Sequence, residues 1–509
     1  MSLLKPTLRN GDYAFYKLIR SQIISWFNSR TIHIIVLVFI SCTILVPKIK
    51  DTPLHDWDES RHAINALEMV NSGDWITATY NNGPDMANIK FPLGAWLIAI
   101  NYKLFGVNEI SVRLWSVIFT VLTTVLVYLW GSLFQNRWLG LLAALIFISS
   151  TQVAGLHAGV TGDYDAGASF FLTLSLFLFT IAYKKKRESF LFYSMVSVGL
   201  GTMYKSFVPG FIPLIIIFIC LLFSKEMRYF LNFKNILICA GIIAIIISPW
   251  LIVRSMSDSS FVSKLLRFDY WNRLTEAVDN HAGSFWYYIA SMKASFYPWL
   301  YFLPLGLFFV VKIYKKYKDD SSLILPVSFF TIFFIFSIAQ TKNVWYILPI
   351  FPVMSVIVAI FWAVVWMKFS KLKFNIILAV ALLVFLIVNI IAGVLNANLF
   401  FNAQNDIRRN NFSTLINQEF IKKDLLSSDV IVHQTIIAQS QSNLFYLKKL
   451  LNDKFVIGSE ILCDLKQNQT WIVSIDIKSL RGFIDHCPDR KVIAAHHRGL
   501  PIVVYAIIK

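Results

Sequence analysis

The sequence predicts a polytopic α-helical membrane protein that ends in a small α/β domain. Of its 509 residues, 57% are hydrophobic and only 15% are charged, whereas soluble domains carry about 25% charged residues. Long apolar segments follow one another from residue 31 to residue 396, and short clusters of Lys and Arg separate them. Composition, segment length and charge placement together favour about 11 to 13 transmembrane helices.

Eleven apolar segments approach the length of about 20 residues that a membrane-spanning helix needs. They lie near residues 31–48, 112–133, 138–156, 166–183, 189–204, 207–224, 235–253, 296–312, 322–340, 343–366 and 373–396. The segments 91–105 and 284–295 are candidates for additional half-helices. The first of them, within the first outer loop, has the pattern of a helix that lies in the membrane interface.

Basic residues cluster in alternate connections between these segments, which predicts the orientation of the chain. Five precede the first span (Lys5, Arg9, Lys17, Arg20 and Arg30), and further clusters lie at 184–188, 225–228, 312–318 and 367–373. Since positive charge favours the cytoplasmic side, we expect the N-terminal segment 1–30 in the cytoplasm. The opposite face then receives the first outer loop, residues 51–111, and everything after residue 396. This distribution accounts for the net charge of +18 without a nucleic-acid partner.

The chain divides at residue 396 into a membrane domain, residues 31–396, and a C-terminal extracytoplasmic α/β domain, residues 397–509. The second part has no segment long enough to span a membrane, and five short runs have the composition of strands. They are residues 429–433, 454–458, 470–476, 491–496 and 501–507. Cys463 and Cys487 can form a disulfide if this part lies in an oxidising compartment, and the sequence leaves that open.

The first outer loop carries many charged side chains beside apolar segments, which makes it the leading candidate for a site of chemistry. In DWDESRHA, Asp58 and Arg61 are three residues apart and share a face if this stretch is helical. Asp58 has the chemistry of a general base and Arg61 that of a phosphate ligand. The competing interpretation is an exposed loop with a local salt bridge.

A second acidic group, Asp163 and Asp165, lies in TGDYDAGASFF where a span begins on the predicted outer face. Two carboxylates at this spacing suit a divalent metal ion or sugar hydroxyls, but an acidic residue at a helix N-terminus also stabilises the helix alone. Lys90 and Lys205, on the same face, suit a phosphate, or they extend to the membrane surface as lysines near helix ends commonly do. The sequence leaves both pairs of alternatives open.

Three residues nearer the C-terminus are further candidates. His281 lies in NHAGSFWYYI, and Lys342 and Tyr346 lie in TKNVWYILPIFP on the predicted outer side. A lone His is more often structural, and Trp345 with Tyr346 also fits an aromatic belt at the membrane surface.

Five stretches resemble, in order, the motifs of the bacterial protein-mannosyltransferase-like superfamily and, within it, of the lipid A aminoarabinose transferases. These are integral membrane glycosyltransferases with the GT-C fold. The stretches are DESRHAINALEMVNSGDWITATYNN, IKFPLGAWLIAINYKLFGVNEISVRLWS, GDYDAGASFF, LGTMYKSFVP and KNVWYILPIFP. The chain departs from the family at His62, Ile89 and Phe91, where the family has Tyr, Glu and Pro, and at residues 206–208, where it lacks the Gly-Pro. The missing Glu weakens a metal site there.

The resemblance implies a GT-C-like fold and transfer of a sugar, with inversion, from a polyprenyl-phosphate donor to a lipid, glycan or protein acceptor. The reaction is expected on the extracytoplasmic face of a bacterial inner membrane. By their places in the motifs, Asp58 is the expected base and Asp165 the second catalytic carboxylate. The residues expected to bind the donor phosphate are Arg61, Lys90, Lys205 and Tyr346.

Other features of the reaction stay open at this stage. Further candidates for substrate contact are Glu59, Asp163, His281 and Lys342. A divalent metal is compatible with the acidic motifs but not required by them. The alternative function is a transporter or flippase of a lipid-linked or anionic substrate. Such a protein would place ionisable or broken segments near the membrane midplane, often in repeated halves, whereas here the charges collect on one face without a visible repeat.

Overall fold

The computed structural model describes residues 29–369, with gaps at 51, 86–87, 156 and 279–280, and separate segments of the C-terminal part. Those segments are part of 380–395, residues 422 and 425–426, and residues 429–433, 441–451, 454–458, 469–475, 492–495 and 504–508. The expectations for residues 1–28, for Cys463 and Cys487 and for half of the predicted span 373–396 lie outside the described residues.

Helices dominate the chain up to residue 369. In chain order they are α1 (Arg30–Leu45), α2 (Asp58–Ser72), α3 (Leu93–Phe105), α4 (Glu109–Ser132), α5 (Arg137–Ile148), α6 (Asp165–Lys185), α7 (Glu188–Tyr204), α8 (Phe207–Phe223), α9 (Phe233–Ser257), α10 (Tyr287–Ser295), α11 (Leu303–Tyr317), α12 (Ile324–Ile338) and α13 (Ile350–Phe369). Shorter helical turns connect several of them, among them the segment 261–275.

Within the described residues, six helices are long and apolar enough to cross a membrane. They are Arg30–Lys48, Glu109–Ser132, Asp165–Lys185, Phe233–Ser257, Asp320–Ile338 and Ile350–Lys368. A seventh span results if α10 and the helical segment Trp299–Tyr317, which meet at a bend of 115°, are counted together. The polytopic helical membrane protein predicted from composition is therefore confirmed, while the number eleven stays a prediction.

The predicted span 138–156 is divided in the structure. α5 ends at Ile148, and turns lead from there to α6 at Asp165. The side-chain hydroxyls of Ser149 and Ser150 donate to the carbonyl oxygen of Ile146 at 2.9 and 3.0 Å, so they satisfy a carbonyl that the end of the helix leaves without an intrahelical partner. This irregular segment carries several of the side chains described below.

The first outer loop contains α2, a short antiparallel hairpin of β1 (Thr79–Tyr80) and β2 (Gly83–Pro84), and α3. α2 begins at Asp58, because negative charge is favoured in the first turn of a helix. It ends at Gly73, whose φ of 76° is the left-handed conformation that commonly terminates helices. The loop is thus an ordered layer that fixes Asp58 at a helix start.

The C-terminal part contains five strands, β3 (Asp429–His433), β4 (Phe455–Gly458), β5 (Gln469–Ile475), β6 (Val492–Ala495) and β7 (Val504–Ile508). They form one sheet in the order β4-β3-β5-β7-β6. β3 pairs in parallel with β4 and β5, while β7 pairs antiparallel with β5 and β6. Each strand overlaps one of the five predicted runs. The boundaries 397–509 of a separate domain remain a prediction.

Helix α14 (Gln441–Leu451) lies against the first outer loop. The backbone N–H of Leu54 donates to the hydroxyl of Tyr446 at 3.0 Å, and the Nζ of Lys448 lies 3.0 Å from a carboxylate oxygen of Glu68. Because Glu68 and Lys448 are both buried, their pairing is shielded from solvent. The C-terminal part therefore supports the helix that begins at Asp58.

Candidate active site at the start of two helices

A cavity of about 270 Å³ lies where α2 and α6 begin. Its polar walls come from the N-terminus of α2, the segment before α3, the turns before α6, the α7–α8 connection and the loop after α12. The lining side chains are Asp58, His62, Lys90, Asp163, Tyr164, Asp165, Lys205, Ser206, Val208, Arg273, Leu274, Ile335, Phe336, Ala339, Thr341, Trp345 and Tyr346. The cavity thus brings together three carboxylates and three cationic side chains.

Lys90 joins the first acidic motif to the helix behind it. Its Nζ lies 2.9 Å from Oδ1 of Asp58 and 2.9 Å from Nε2 of His62. The ring of His62 stacks on Tyr164, with centroids 3.8 Å apart. Tyr164 comes close to α3 only because position 94 is Gly, since a Cβ there would lie 2.5 Å from the Tyr164 ring. These contacts hold the ammonium of Lys90 at the cavity wall.

The charges around Lys90 set the protonation of both partners. The ammonium of Lys90 holds the pKa of Asp58 well below its usual range, so Asp58 is a carboxylate at neutral pH. Burial, followed by the charge of Lys90, holds the pKa of His62 well below its usual value. The imidazole is therefore neutral, and its Nε2 can accept a hydrogen bond from Lys90.

The second acidic motif has its own lysine. The Nζ of Lys205 forms an ion pair with Oδ1 of Asp165, and it also lies 5.7 Å from the centroid of the Tyr346 ring. The guanidinium of Arg273 donates to the hydroxyl of Tyr346. Lys205 and Arg273 therefore add two cations to the lining, which Lys90 also joins.

Asp163 is the most enclosed of the three carboxylates. Its Oδ2 accepts a hydrogen bond from the hydroxyl of Thr161 at 2.6 Å, and its Oδ1 lies 3.3 Å from Nδ1 of His157. His157 in turn stacks on Trp345 with ring centroids 3.7 Å apart. Burial raises the pKa of Asp163 to about 6. Asp163 therefore exchanges its proton nearer to neutral pH than an ordinary Asp.

Replacing Asp163 by Asn is expected to change the pH dependence of stability. A carboxyl whose pKa is raised on folding stabilises the folded state below about pH 4, and that contribution is lost as the pH rises through about 6. Asn resembles the protonated acid, so the variant should match wild type near pH 4 and gain on the order of 3 kcal/mol over it near pH 7. Thermal unfolding in detergent with a chelator present measures this, and parallel pH profiles would contradict it.

A divalent cation fits one place in the described part of the chain. Asp58, His157 and Asp163 each offer a ligand atom, and these atoms lie within 4.8 Å of one another. Nδ1 of His157 and Oδ1 of Asp163 are buried without a hydrogen-bond partner. Two carboxylates and an imidazole suit divalent transition metals. A cation there would add positive charge beside Asp58, although the resemblance left the metal open and Ile89 removes one expected ligand.

Arg61 lies outside this cavity. Its Nε donates to Oδ2 of Asp85 at 2.9 Å, and its Nη2 binds the other carboxylate oxygen of Asp85. Its guanidinium also lies 5.7 Å from the centroid of the Tyr80 ring. Asp58 and Arg61 lie on one helix, as predicted. Arg61, however, binds the carboxylate of Asp85, which is 24 residues away along the chain.

Glu59 is buried in an ion pair rather than placed at the cavity. Its carboxylate contacts Nε and Nη2 of Arg113 at 2.7 and 3.0 Å, and it accepts the backbone N–H of Gly162 at 2.7 Å. Arg113 also donates to the carbonyl oxygens of Thr52 and Pro53 at 2.8 and 2.9 Å. This buried network joins α2, α4 and the turns before α6, so it fixes the two acidic motifs relative to each other.

His281 and Lys342 are also placed away from the cavity. His281 is exposed, and its carbonyl oxygen accepts the backbone N–H of Lys342. The Nζ of Lys342 donates to the carbonyl oxygens of Phe336 and Ser337 at 2.9 and 2.6 Å. Lys342 therefore satisfies the C-terminal carbonyls of α12, where a cation is favoured by the helix dipole.

The sequence interpretation missed three residues that line or support the cavity. His157 was part of the HAGVTGDYDAG turn, and its position beside Asp163 follows from the turn geometry, including its own φ of 53°. Arg273 lay in a long polar loop with no motif around it. Tyr164 lies between the two acidic residues in the sequence, and this position could have indicated that its ring lies at the same site.

Comparison with known proteins agrees with this architecture. Residues 88–253 match the family model described as dolichyl-phosphate-mannose-protein mannosyltransferase. The undecaprenyl phosphate-alpha-4-amino-4-deoxy-L-arabinose arabinosyl transferase of Yersinia pestis strain Pestoides F is 28% identical over 315 residues, which are 59% of this chain and 54% of that protein. The protein of that name from Pectobacterium carotovorum is 29% identical over 313 residues, with the same two shares. The chain spans about half the length of these relatives.

Among solved structures, ArnT from Cupriavidus metallidurans bound to undecaprenyl phosphate superposes with a TM-score of 0.69 and 17% identity, over 94% of this chain and 98% of that chain. The chain has the GT-C fold and is similar to the lipid A aminoarabinose transferases. The archaeal oligosaccharyltransferase AglB from Archaeoglobus fulgidus, in complex with an inhibitory peptide and a dolichol-phosphate, shares the fold with a TM-score of 0.55 and 12% identity, over 84% of this chain and 64% of that chain. The resemblance that the five motifs carried is thereby confirmed.

Proposed function

We propose that this protein is a glycosyltransferase that moves a sugar from a polyprenyl-phosphate donor to a lipid acceptor on the extracytoplasmic face of a bacterial inner membrane. The observation that carries the proposal is the cavity itself, in which Asp58, Asp163 and Asp165 face Lys90, Lys205 and Arg273 at the ends of membrane helices. Carboxylates suit sugar hydroxyls and proton transfer, and the cations suit a phosphate. A polyprenyl-phosphate sugar needs carboxylates for its sugar and cations for its phosphate, close together at the edge of an apolar environment.

An apolar cavity of about 560 Å³ adjoins the polar one and supports a lipid-linked donor. It runs between α7, α8 and α9 and is lined almost entirely by aliphatic and aromatic side chains. At the start of α8, Phe207 lines the apolar cavity while its neighbours Ser206 and Val208 line the polar one. A donor with its phosphate near Lys205 can therefore lay its hydrocarbon tail along α8.

The reaction requires a proton to leave the acceptor hydroxyl while the bond between the anomeric carbon and the phosphate oxygen breaks. In the proposed arrangement Asp58 accepts the proton, and the released phosphate keeps the bonding electrons, stabilised by Lys90, Lys205 and Arg273. Attack from the side opposite to the phosphate inverts the anomeric carbon. Lys90, which lowers the basicity of Asp58, can turn to the phosphate when the donor binds, so donor binding prepares the base.

Asp163 is the second candidate for the base, because its raised pKa of about 6 is closer to the value that favours proton transfer near neutral pH. Its side chain is more deeply buried than that of Asp58. An acceptor hydroxyl that enters the cavity would therefore reach Asp58 before Asp163, and we propose Asp58 as the base for this reason. Asp165 pairs with Lys205. We propose that it binds the sugar or holds that lysine in position.

The proposed activity is tested with the full chain in liposomes, a radiolabelled polyprenyl-phosphate sugar and a bacterial lipid extract as acceptor. Label that moves into the acceptor fraction at a rate proportional to protein supports the transferase. Label that crosses the bilayer while the donor stays intact would favour the flippase instead. The flippase is the weaker alternative, because the cavity that combines carboxylates with cations lies beside helix ends and not within the described membrane helices.

Replacing Lys205 by Gln is expected to raise the KM for the donor by about 10- to 100-fold, since a hydrogen bond to a charged group contributes about 1.5–3 kcal/mol. The maximal rate should change less, because Gln leaves the proposed base in place. Initial rates against donor concentration measure the two parameters separately. Lys103→Gln is the matched control, because Lys103 contacts the Trp75 ring outside the cavity. An unchanged KM in the Lys205 variant would remove this lysine from the phosphate site.

A further inference from the structure

A third cavity, of about 500 Å³, lies between the ends of α4, α11 and α13 and combines basic and apolar walls. Lys312 and Lys316 are four residues apart on α11, so they share one face of that helix. Lys368, at the end of α13, lines the same cavity. The apolar wall includes Leu139, Phe309, Val310, Ile313, Ile360 and Val364.

The three lysines of this cavity have no ion-pair partner among the described residues. None of the three lysines forms an ion pair with a described carboxylate, and their described partners are the aromatic rings of Phe308, Tyr317 and Phe309. The one carboxylate of the lining is Asp319, which lies 2.9 Å from Nζ of Lys184. Like charges at a spacing of four residues repel each other, so an anion between the lysines would stabilise this end of the protein.

The cavity lies at the other end of the membrane helices from the candidate active site. Tyr346 lines the active-site cavity just before α13 begins at Ile350, and Lys368 lies 18 residues further along the same helix. A rise of 1.5 Å per residue places these ends about 27 Å apart, close to the thickness of the bilayer core of about 30 Å. Lys312, Lys316 and Lys368 therefore lie at the level of the lipid headgroups in the leaflet opposite to the candidate active site.

An adjoining apolar cavity extends the surface available to hydrocarbon. It has a volume of about 560 Å³ and shares Gln135, Leu139 and Met367 with the lysine cavity. Its further lining includes Trp138 and Trp366, which are about half exposed. Tryptophan is enriched at the level of lipid headgroups. A headgroup on the lysines thus has apolar grooves on both sides of the α13 end in which acyl chains can lie.

We propose that the cavity formed by Lys312, Lys316 and Lys368 with its apolar walls binds an anionic glycerophospholipid of the leaflet opposite to the active site. The phosphate lies among the three ammonium groups, and the acyl chains lie along α11 and α13. Basic pockets between membrane helices on one leaflet are suited to such headgroups. The bound lipid would join α4, α11 and α13 at the end remote from catalysis.

The test measures lipid binding to the full chain by native mass spectrometry, with phosphatidylglycerol against phosphatidylcholine of the same acyl chains. Wild type should bind phosphatidylglycerol preferentially. The variant Lys312→Gln/Lys316→Gln/Lys368→Gln should lose about 100-fold in that preference, since each basic residue near an anionic surface contributes about fivefold. The control variant Lys185→Gln/Lys225→Gln/Lys315→Gln removes the same charge outside the cavity lining and should keep the preference.

Three results would overturn the proposal. One is equal loss in the test and control variants, which would mean that only general surface charge attracts the lipid. Another is displacement of the lipid by inorganic phosphate at the same concentration, which would mean that the apolar walls do not hold a lipid. The third is binding at the wild-type level by a correctly folded triple variant, and melting temperatures of both variants without added lipid show whether they are folded.

Discussion

Replacing Asp58 by Asn is expected to lower the rate of sugar transfer by at least about 100-fold, because general base catalysis typically contributes 10²–10⁴-fold. The amide has the size of the carboxylate and its oxygen can still accept a hydrogen bond from Lys90, so the cavity should keep its shape. The variant should therefore bind the donor about as well as wild type. Transfer rates in liposomes and donor binding in detergent measure the two effects independently.

Asp74→Asn is the matched control for that variant. Asp74 lies on the same outer loop but accepts the backbone N–H groups of Ile76 and Thr77 in an exposed turn. The Asp74→Asn variant should therefore transfer sugar at the wild-type rate. Wild-type transfer by Asp58→Asn would reject Asp58 as the base and direct attention to Asp163→Asn, whose loss of activity would then identify the proton acceptor.

Replacing Arg113 by Met is expected to destabilise the protein by about 3–5 kcal/mol, since removal of one partner leaves a buried charge uncompensated. Arg113 is 1% exposed and Glu59 is also 1% exposed, so water cannot replace the lost contacts. The loss also frees the backbone carbonyls of Thr52 and Pro53 from their donor. Thermal unfolding in detergent should show a large decrease in melting temperature, and transfer should fall because α2 is no longer fixed.

Two further variants show whether the loss of stability comes from the buried ion pair. Lys186→Gln breaks an ion pair on the surface, because the side chains of Lys186 and Glu226 are 50% and 66% exposed. This change should lower the free energy of unfolding by less than about 1 kcal/mol. Glu59→Gln combined with Arg113→Met removes the uncompensated charge and should recover part of the lost stability. Equal melting temperatures for Arg113→Met and Lys186→Gln would mean that the buried pair does not hold the outer loop in place.

Much of this architecture could be predicted from the sequence because it depends on local composition. Apolar segments and basic clusters identify membrane helices without any knowledge of their packing. The motifs also selected Asp58, Lys90, Asp165, Lys205 and Tyr346, which the structure places in one cavity. Their roles in the reaction remain predictions that the variants above test.

The partners of several charged residues could not be predicted, since they lie far apart along the chain. Arg61 binds Asp85 and Glu59 binds Arg113, at separations of 24 and 54 residues. Spacing within a motif predicts only contacts within one helix. The raised pKa of Asp163 likewise results from burial by turns that break a predicted span, and apolar content alone does not predict such a break.

The contacts of α14 with the outer loop have a consequence for how the protein is made. Tyr446 bonds to Leu54, and the backbone N–H of Ser442 donates to Asp56, across 392 and 386 residues of chain. A ribosome that adds 5–20 residues per second needs roughly 20 to 80 s to make the chain between them. The loop that carries Asp58 therefore lacks this support until residues 442–446 have been synthesised. A chain truncated before residue 441 would leave the helix of the proposed base permanently without its partner.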